Sequence, residues 1–209
     1  MTGGMPGVPP GRAGRLWLRR RLETARRGSA LLDRKLHLLL TEQDRLRAEE
    51  KQTRQEWDAS CAKADLWLLR AELLSGRRAI TLAASRLPAE VTIRYGLTAG
   101  TRYPSGITCT TPEPDTFDGP ALAAARHAYK AAVAAAARHA AAAEAVRIID
   151  TDVGATRYRL RAIEERWIPR LERTLTQVEL GLEELEHADG VRLRHVLSHR
   201  EDPPGTQPP

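Results

Sequence analysis

Apolar residues recur along residues 12–86 at alternating steps of three and four. One row reads Leu22, Ser29, Leu36, Gln43, Glu50, Trp57, Ala64, Ala71, and the other Ala25, Leu32, Leu39, Leu46, Thr53, Ser60, Trp67, Leu74. Most of these positions are apolar across roughly seven heptads, the pattern of a helix that packs along a coiled-coil seam. Gln43, Glu50 and Thr53 interrupt the seam together, and polar seam residues weaken a coiled coil while fixing its register or its partner. The stretch holds no proline and its glycines, Gly28 and Gly76, are isolated, so one long helix is predicted.

A second long helix is predicted over residues 120–199, with Pro120 suited to its first turn. Its seam runs through Val146, Ile149, Val153, Thr156, Leu160 and Ile163, then resumes as Ile168, Leu171, Leu175, Val178, Leu182 and Leu185. The five-residue step from Ile163 to Ile168 breaks the heptad phase beside Pro169. Because proline removes a helical hydrogen bond, a local bend is expected there and not a helix end. Between the helices, residues 87–119 hold four prolines and four glycines. Val91, Ile93 and Tyr95 alternate with Thr92 and Arg94, and Ile107 and Cys109 can supply a partner strand, so a small β-hairpin is expected at the turn.

Two helices joined by so short a segment bury their seams by folding back on each other. The fold class is therefore all-α: a long antiparallel two-helix coiled coil with a small β-hairpin or loop inserted at the turn, one domain in all. Residues 1–11 form a Gly- and Pro-rich lead and residues 200–209 a Pro-rich tail expected to be disordered. Aligning Arg86 with Pro120 sets the Ala-rich stretch 121–145 opposite residues 61–85, large side chains against small ones. At about 1.5 Å per residue such a hairpin is roughly 110 Å long, which suits a rod better than a globule.

Composition agrees. Aromatic residues make up 4% of the 209 residues, with Phe117 the single phenylalanine, where a large compact core would recruit more. Cys61 and Cys109 fit no zinc or redox spacing and are expected to be reduced thiols of a cytoplasmic protein. The opening residues lack the apolar segment of a signal peptide, and no stretch approaches the ~18 apolar residues of a membrane span. No phosphate loop, nucleophile elbow or His-Glu-x-x-His motif is present, so no catalytic residue, cofactor or nucleotide site is expected. His195 and His199 have metal-ligand spacing, but no carboxylate is phased with them, which argues against a metal.

Charge is the remaining signal: 33 Lys and Arg against 27 Asp and Glu, a net charge of +6. Arg12, Arg15, Arg19, Arg20, Arg21, Arg26 and Arg27 open the first helix, and Arg192, Arg194, His195 and Arg200 close the second. In an antiparallel hairpin these clusters are expected to meet at one tip, either as a solvated basic face or as a surface for an acidic partner. Leu66, Trp67, Leu69, Leu73 and Leu74, with Leu68, form a wider apolar band than one seam buries, which reads either as thick internal packing or as a docking surface.

Four segments resemble the D subunit of the V/A-type (vacuolar/archaeal-type) rotary ATPases, in order and spacing along nearly the whole chain. They are GRLWLRRRLETARRGSALLDRK at Gly14 to Lys35, Tyr95 to Leu97, RLRAIEERWIPRLE at Arg159 to Glu172, and VRLRHV at Val191 to Val196. The stretch Ile168, Pro169, Arg170, Leu171, Glu172 is the most specific, since proline deep in a long helix is uncommon. The resemblance, here to a bacterial member, implies a non-catalytic central rotor stalk with its termini inside a hexamer of catalytic A and nucleotide-binding B subunits. It makes Arg15, Arg19, Arg20, Arg26, Arg27, Arg192, Arg194 and His195 the expected collar contacts. The F subunit is expected on Leu66, Trp67, Leu69, Leu73 and Leu74, and a membrane-ring adaptor at the mid-chain turn. The complex implied couples ATP synthesis or hydrolysis to proton or sodium transport on the cytoplasmic face of the membrane, with no direct nucleotide or nucleic-acid binding and no membrane insertion by this chain. Two other readings remain: a basic coiled coil that binds nucleic acid, against which acids interleave the arginines, and an unrelated helical-hairpin adaptor or chaperone, which leaves Pro169 and its flanks unexplained.

Overall fold

The computed structural model describes residues 7–84, 88–112 and 119–201. The expectations for the start of the lead, for residues 85–87 and 113–118 of the turn, and for the tail from residue 202 lie outside the described residues. Helix α1 spans Gly11–Ala83, strands β1 and β2 span Glu90–Thr98 and Thr101–Thr110, and helix α2 spans Pro120–Arg161. A π-helical turn, Ala162–Trp167, leads into helix α3, Ile168–Glu201. The architecture is a helical hairpin with a two-stranded antiparallel insertion between its helices. The chain divides into two compact units, one of Met1–Asp33 with Tyr158–Pro209 and the other Arg34–Arg157.

In the first unit, Leu18 and Leu22 of α1 close on Leu171 of α3, flanked by Trp17, Ala25, Ile168, Leu175 and Val178. Val8 packs on the same cluster, and the Pro9 carbonyl lies so near Gly14 that a Cβ there would collide with it. The π-helical turn resolves the phase break. Ile168 N–H donates to the Ile163 carbonyl, a five-residue step that adds one residue to the turn and returns Ile168 to the seam face. Pro169 has no N–H to give, so the wide turn precedes it and the helix continues. The bend expected from proline alone is thus a π-helical turn.

The second unit holds the other seam residues. Leu39 and Leu46 bury against Ala145, Val146, Ile149 and Val153, and Ala64 packs on Ala128 and Ala132. Alanine favours the helix and lets two helix axes approach closely. Small residues meet small ones here, in place of the expected leucine against alanine: Leu66, Leu69, Leu73 and Leu74 are exposed.

Register explains that difference. With Arg86 opposite Pro120, Tyr129 would face Arg77, but its hydroxyl bonds the Asp65 carboxylate at 3.1 Å, an offset of about three helical turns. His139 likewise stacks on Trp57, ring centroids 5.4 Å apart. The cause is Gly76, whose backbone (φ 76°, ψ 160°) breaks α1 in a region that glycine alone adopts freely. Beyond it the chain leaves the seam and folds over the start of α2, where the Arg126 guanidinium bonds the Ala83 carbonyl at 3.3 Å. The single unbroken helix read from residues 12–86 is therefore corrected to a helix with a break at Gly76.

The expected β-hairpin forms, with Val91 paired to Cys109 and Ile93 to Ile107, and its strands are longer than the residues that signalled them. Its turn is only Ala99–Gly100, both with positive φ (50° and 85°), the geometry of the tight turns that match strand twist. A bulge opposite Arg94 and Tyr95 leaves Ser105 unpaired.

Thr156, a seam position, is fully buried with its hydroxyl lacking a hydrogen-bond partner. Thr156→Val keeps the shape and removes the unmet polar group, so it should raise stability by about 1–2 kcal/mol. Thermal melting checks this; a lower melting temperature would contradict the burial.

Candidate partner-binding surfaces

At the start of α1 the arginines are spaced by seven, and so are glutamates on α3. Arg12 pairs with Glu186 at 2.8 Å, Arg19 with Glu179 at 2.6 Å and Arg26 with Glu172 at 2.8 Å. Heptad spacing on two antiparallel helices puts each pair on the same flank of the seam, as at the flanking positions of coiled coils. Arg27 pairs with Glu23 one turn back. Arg21 lies over Trp17, 4.9 Å from the ring centroid. Arg19, Arg26 and Arg27, expected as collar contacts, are each held in an ion pair within the chain. Arg15 and Arg20 lie outside these ion pairs.

The same register sets the closing basic cluster beyond the opening one at the same end of the helix pair. Glu186 is opposite Arg12, one residue after α1 begins, so α3 runs on past the start of α1. Arg192, within 3.4 Å of Asp189, Arg194 and His195 lie on this overhang. Residues 187–197 are all exposed, including Val191, Leu193, Val196 and Leu197. A helical end with this much open apolar surface calls for a partner.

The expected band at residues 66–74 splits in two. Trp67 is half-buried, packs on the Ala64, Ala128 and Ala132 cluster, and carries the Arg70 guanidinium 4.8 Å from its ring centroid. Leu66, Leu69 and Leu73 lie at helical spacings of three and four on the outer face, and Leu73 and Leu74 are 78% and 76% exposed. Below them a cleft of about 440 Å³ opens between Leu68, Ile80, Leu122, Tyr129 and Val133. Burial, with the Asp65 carboxylate beside it, pushes the Tyr129 hydroxyl above its ordinary pKa.

Residues overlooked in the sequence cluster where the seam turns polar. The buried Gln43 amide donates to Asp150 at 2.5 Å, and Arg47 reaches the same carboxylate at 3.2 Å. Glu42 accepts from Arg45 at 2.7 Å and from the Tyr103 hydroxyl at 2.6 Å. Arg45 and then Tyr103 hold the Glu42 carboxyl below its usual range against the opposing effect of burial. The grouped interruptions of the seam were the available signal. Among the described residues no group of three or more His, Cys, Asp or Glu is placed to hold a metal, and no helix is long and apolar enough to cross a membrane.

An antiparallel helix pair with polar clamps, an inserted hairpin and uncovered apolar ends has the make-up of a stalk-like component of a larger assembly. A family model described as the ATP synthase D subunit matches residues 16–198, and the chain belongs to that family, the stalk D subunits of the V/A-type rotary ATPases. No curated protein matches the chain. Within the family stretch, Ile168 and Leu171 fill the Leu18 cluster, Glu172 accepts from Arg26, and Pro169 follows the π-helical turn.

A double-mutant cycle on Arg19 and Glu179 should give a coupling of about 0.2–1 kcal/mol, the usual range for exposed ion pairs. Zero coupling with additive losses would show that Arg19 stands free of Glu179.

Proposed function

We propose that this chain is the non-catalytic central shaft of a V/A-type rotary ATPase, transmitting rotation between a catalytic A/B hexamer and the membrane ion-translocating ring. In that role it couples ATP synthesis or hydrolysis to proton or sodium transport on the cytoplasmic face of the membrane. The observation that carries the reading is the α3 overhang, where Val191, Leu193, Val196 and Leu197 stand exposed among Arg192, Arg194 and His195. A shaft end that turns inside a collar needs exposed apolar surface and charge. Arg15 and Arg20 are collar contacts beside it, and Arg19, Arg26 and Arg27 contribute from within their ion pairs. The F subunit takes the outer leucines Leu66, Leu69, Leu73 and Leu74, while Trp67 supports them from inside. The adaptor on the membrane ring meets the mid-chain turn, where Leu82 is also exposed. Nucleic-acid binding is disfavoured, because the pairing of Arg12, Arg19 and Arg26 with glutamates opposes neutralisation of phosphates by the same groups.

The chain alone should not hydrolyse ATP, yet an A/B hexamer should need it for sustained turnover. A chain ending at Asp189 should keep its helices and fail to sustain that turnover. Equal sustained rates with the full and shortened chains, or with none, would overturn the shaft reading.

Replacing Leu66, Leu69 and Leu73 by serine should weaken binding of the F subunit by at least about tenfold with little change in melting temperature, since exposed side chains carry binding and not folding. Trp67→Ala should instead lower the melting temperature. Unchanged affinity for F in the triple variant would remove F from this face.

A further inference from the structure

The β-hairpin is held against the helices mainly at its far end. Its inner strand is β2: Tyr103 is 5% exposed and lies over Leu39, Leu46, Ala145, Val146, Ile149 and Val153. β1 is exposed through Glu90–Tyr95, and Val91, Ile93, Tyr95 and Leu97 share an open face with Arg102 stacked 4.2 Å from the Tyr95 ring centroid. Beside the turn, two hydroxyls reach two carboxylates on different helices. Tyr103 donates to Glu42 of α1 at 2.6 Å, and Thr101 donates to Asp152 of α2. Each carboxylate is braced by a cation from α1, Arg45 at 2.7 Å from Glu42 and Lys35 at 2.8 Å from Asp152. Nearer the base, strand and helices part around a cleft of about 220 Å³ lined by Arg94, Pro104, Ile107, Thr53, Arg138 and Ala142. The attachment is thus a latch at the end, with open space behind it.

The latch also sits at the edge of the polar part of the seam. Leu39 and Leu46 are buried beside it against Ala145, Val146, Ile149 and Val153, and past them Glu50 and Thr53 replace apolar seam residues, so side-chain burial falls away there. We infer that the hairpin is a cross-brace: by tying Glu42 of α1 and Asp152 of α2 to one rigid turn, Tyr103 and Thr101 lock the register of the polar stretch against local opening and sliding. A two-stranded hairpin is marginal by itself, so hairpin and polar stretch stabilise each other and open together. The brace rests on the fold of the chain alone and stands whether or not the rotary reading holds.

The test is amide hydrogen exchange on the full chain, comparing the parent with Tyr103→Phe combined with Thr101→Val. The pair removes both hydroxyls while keeping ring and bulk, so the variant is expected to fold. Protection should fall about tenfold in 90–110 and also in 36–50 and 143–156, while 61–75 stays as in the parent. Tyr103→Phe with Thr101→Ser, which restores one hydroxyl, should recover part of that protection at both places. Unchanged exchange in the hairpin would overturn the latch. Faster exchange confined to the hairpin, with both helical stretches unaffected, would overturn the brace.

Discussion

A two-helix protein has one place to bury apolar surface, the line along which its helices touch. Tyr103 of the hairpin lies over that line, so the elements of this chain depend on which residues meet there. The limiting contact is Ala64 on Ala128 and Ala132, where only small side chains permit so close an approach. Neighbouring apolar side chains would tolerate a slip of one heptad, since a seam of similar residues is degenerate. Polar and charged partners are less forgiving. Gln43 with Asp150 and Tyr129 with Asp65 each fit one alignment, and of the three heptad-spaced arginine–glutamate pairs a one-heptad slip loses one. Exposed pairs add little stability individually, but together they discriminate between registers.

The same geometry determines what is left over. Because α3 passes the start of α1 and the break at Gly76 turns the chain off the seam, apolar side chains stay uncovered at both places. Apolar surface left uncovered in this way has the character of a part to be gripped. That character agrees with membership in a family of rotary-ATPase stalk subunits.

The local elements were legible because each has a local cause. Periodicity named the buried rows, including Leu39, Leu46, Ala64, Ala71, Ile149 and Leu171. The five-residue step at Ile163 marked the π-helical turn, although proline alone suggests only a bend. Alternation found the β-hairpin, but Ala99–Gly100 lacks the Asn-Gly or Asp-Gly signature that would have located its turn. Register was not legible. It depends on the path of the chain beyond Gly76, and an isolated glycine in a long helical pattern is compatible with either a break or a continuous helix. The misplaced alignment then hid the arginine–glutamate pairs, although the seven-residue spacing on both helices was visible. Residues 66–74 show the same limit: the heptad row puts both Trp67 and Leu74 inside, and only packing shows that Trp67 stays there while Leu74 is exposed.

Rotation itself is the most direct measurement. With Cys61 and Cys109 replaced by serine and the exposed Arg78 by cysteine, a bead is attached near the mid-chain turn while an A/B hexamer is held on a surface. ATP should drive the bead in one sustained direction, and rotation should stop when ATP is withdrawn. Continued ATP hydrolysis with a stationary or undirected bead would contradict the shaft reading.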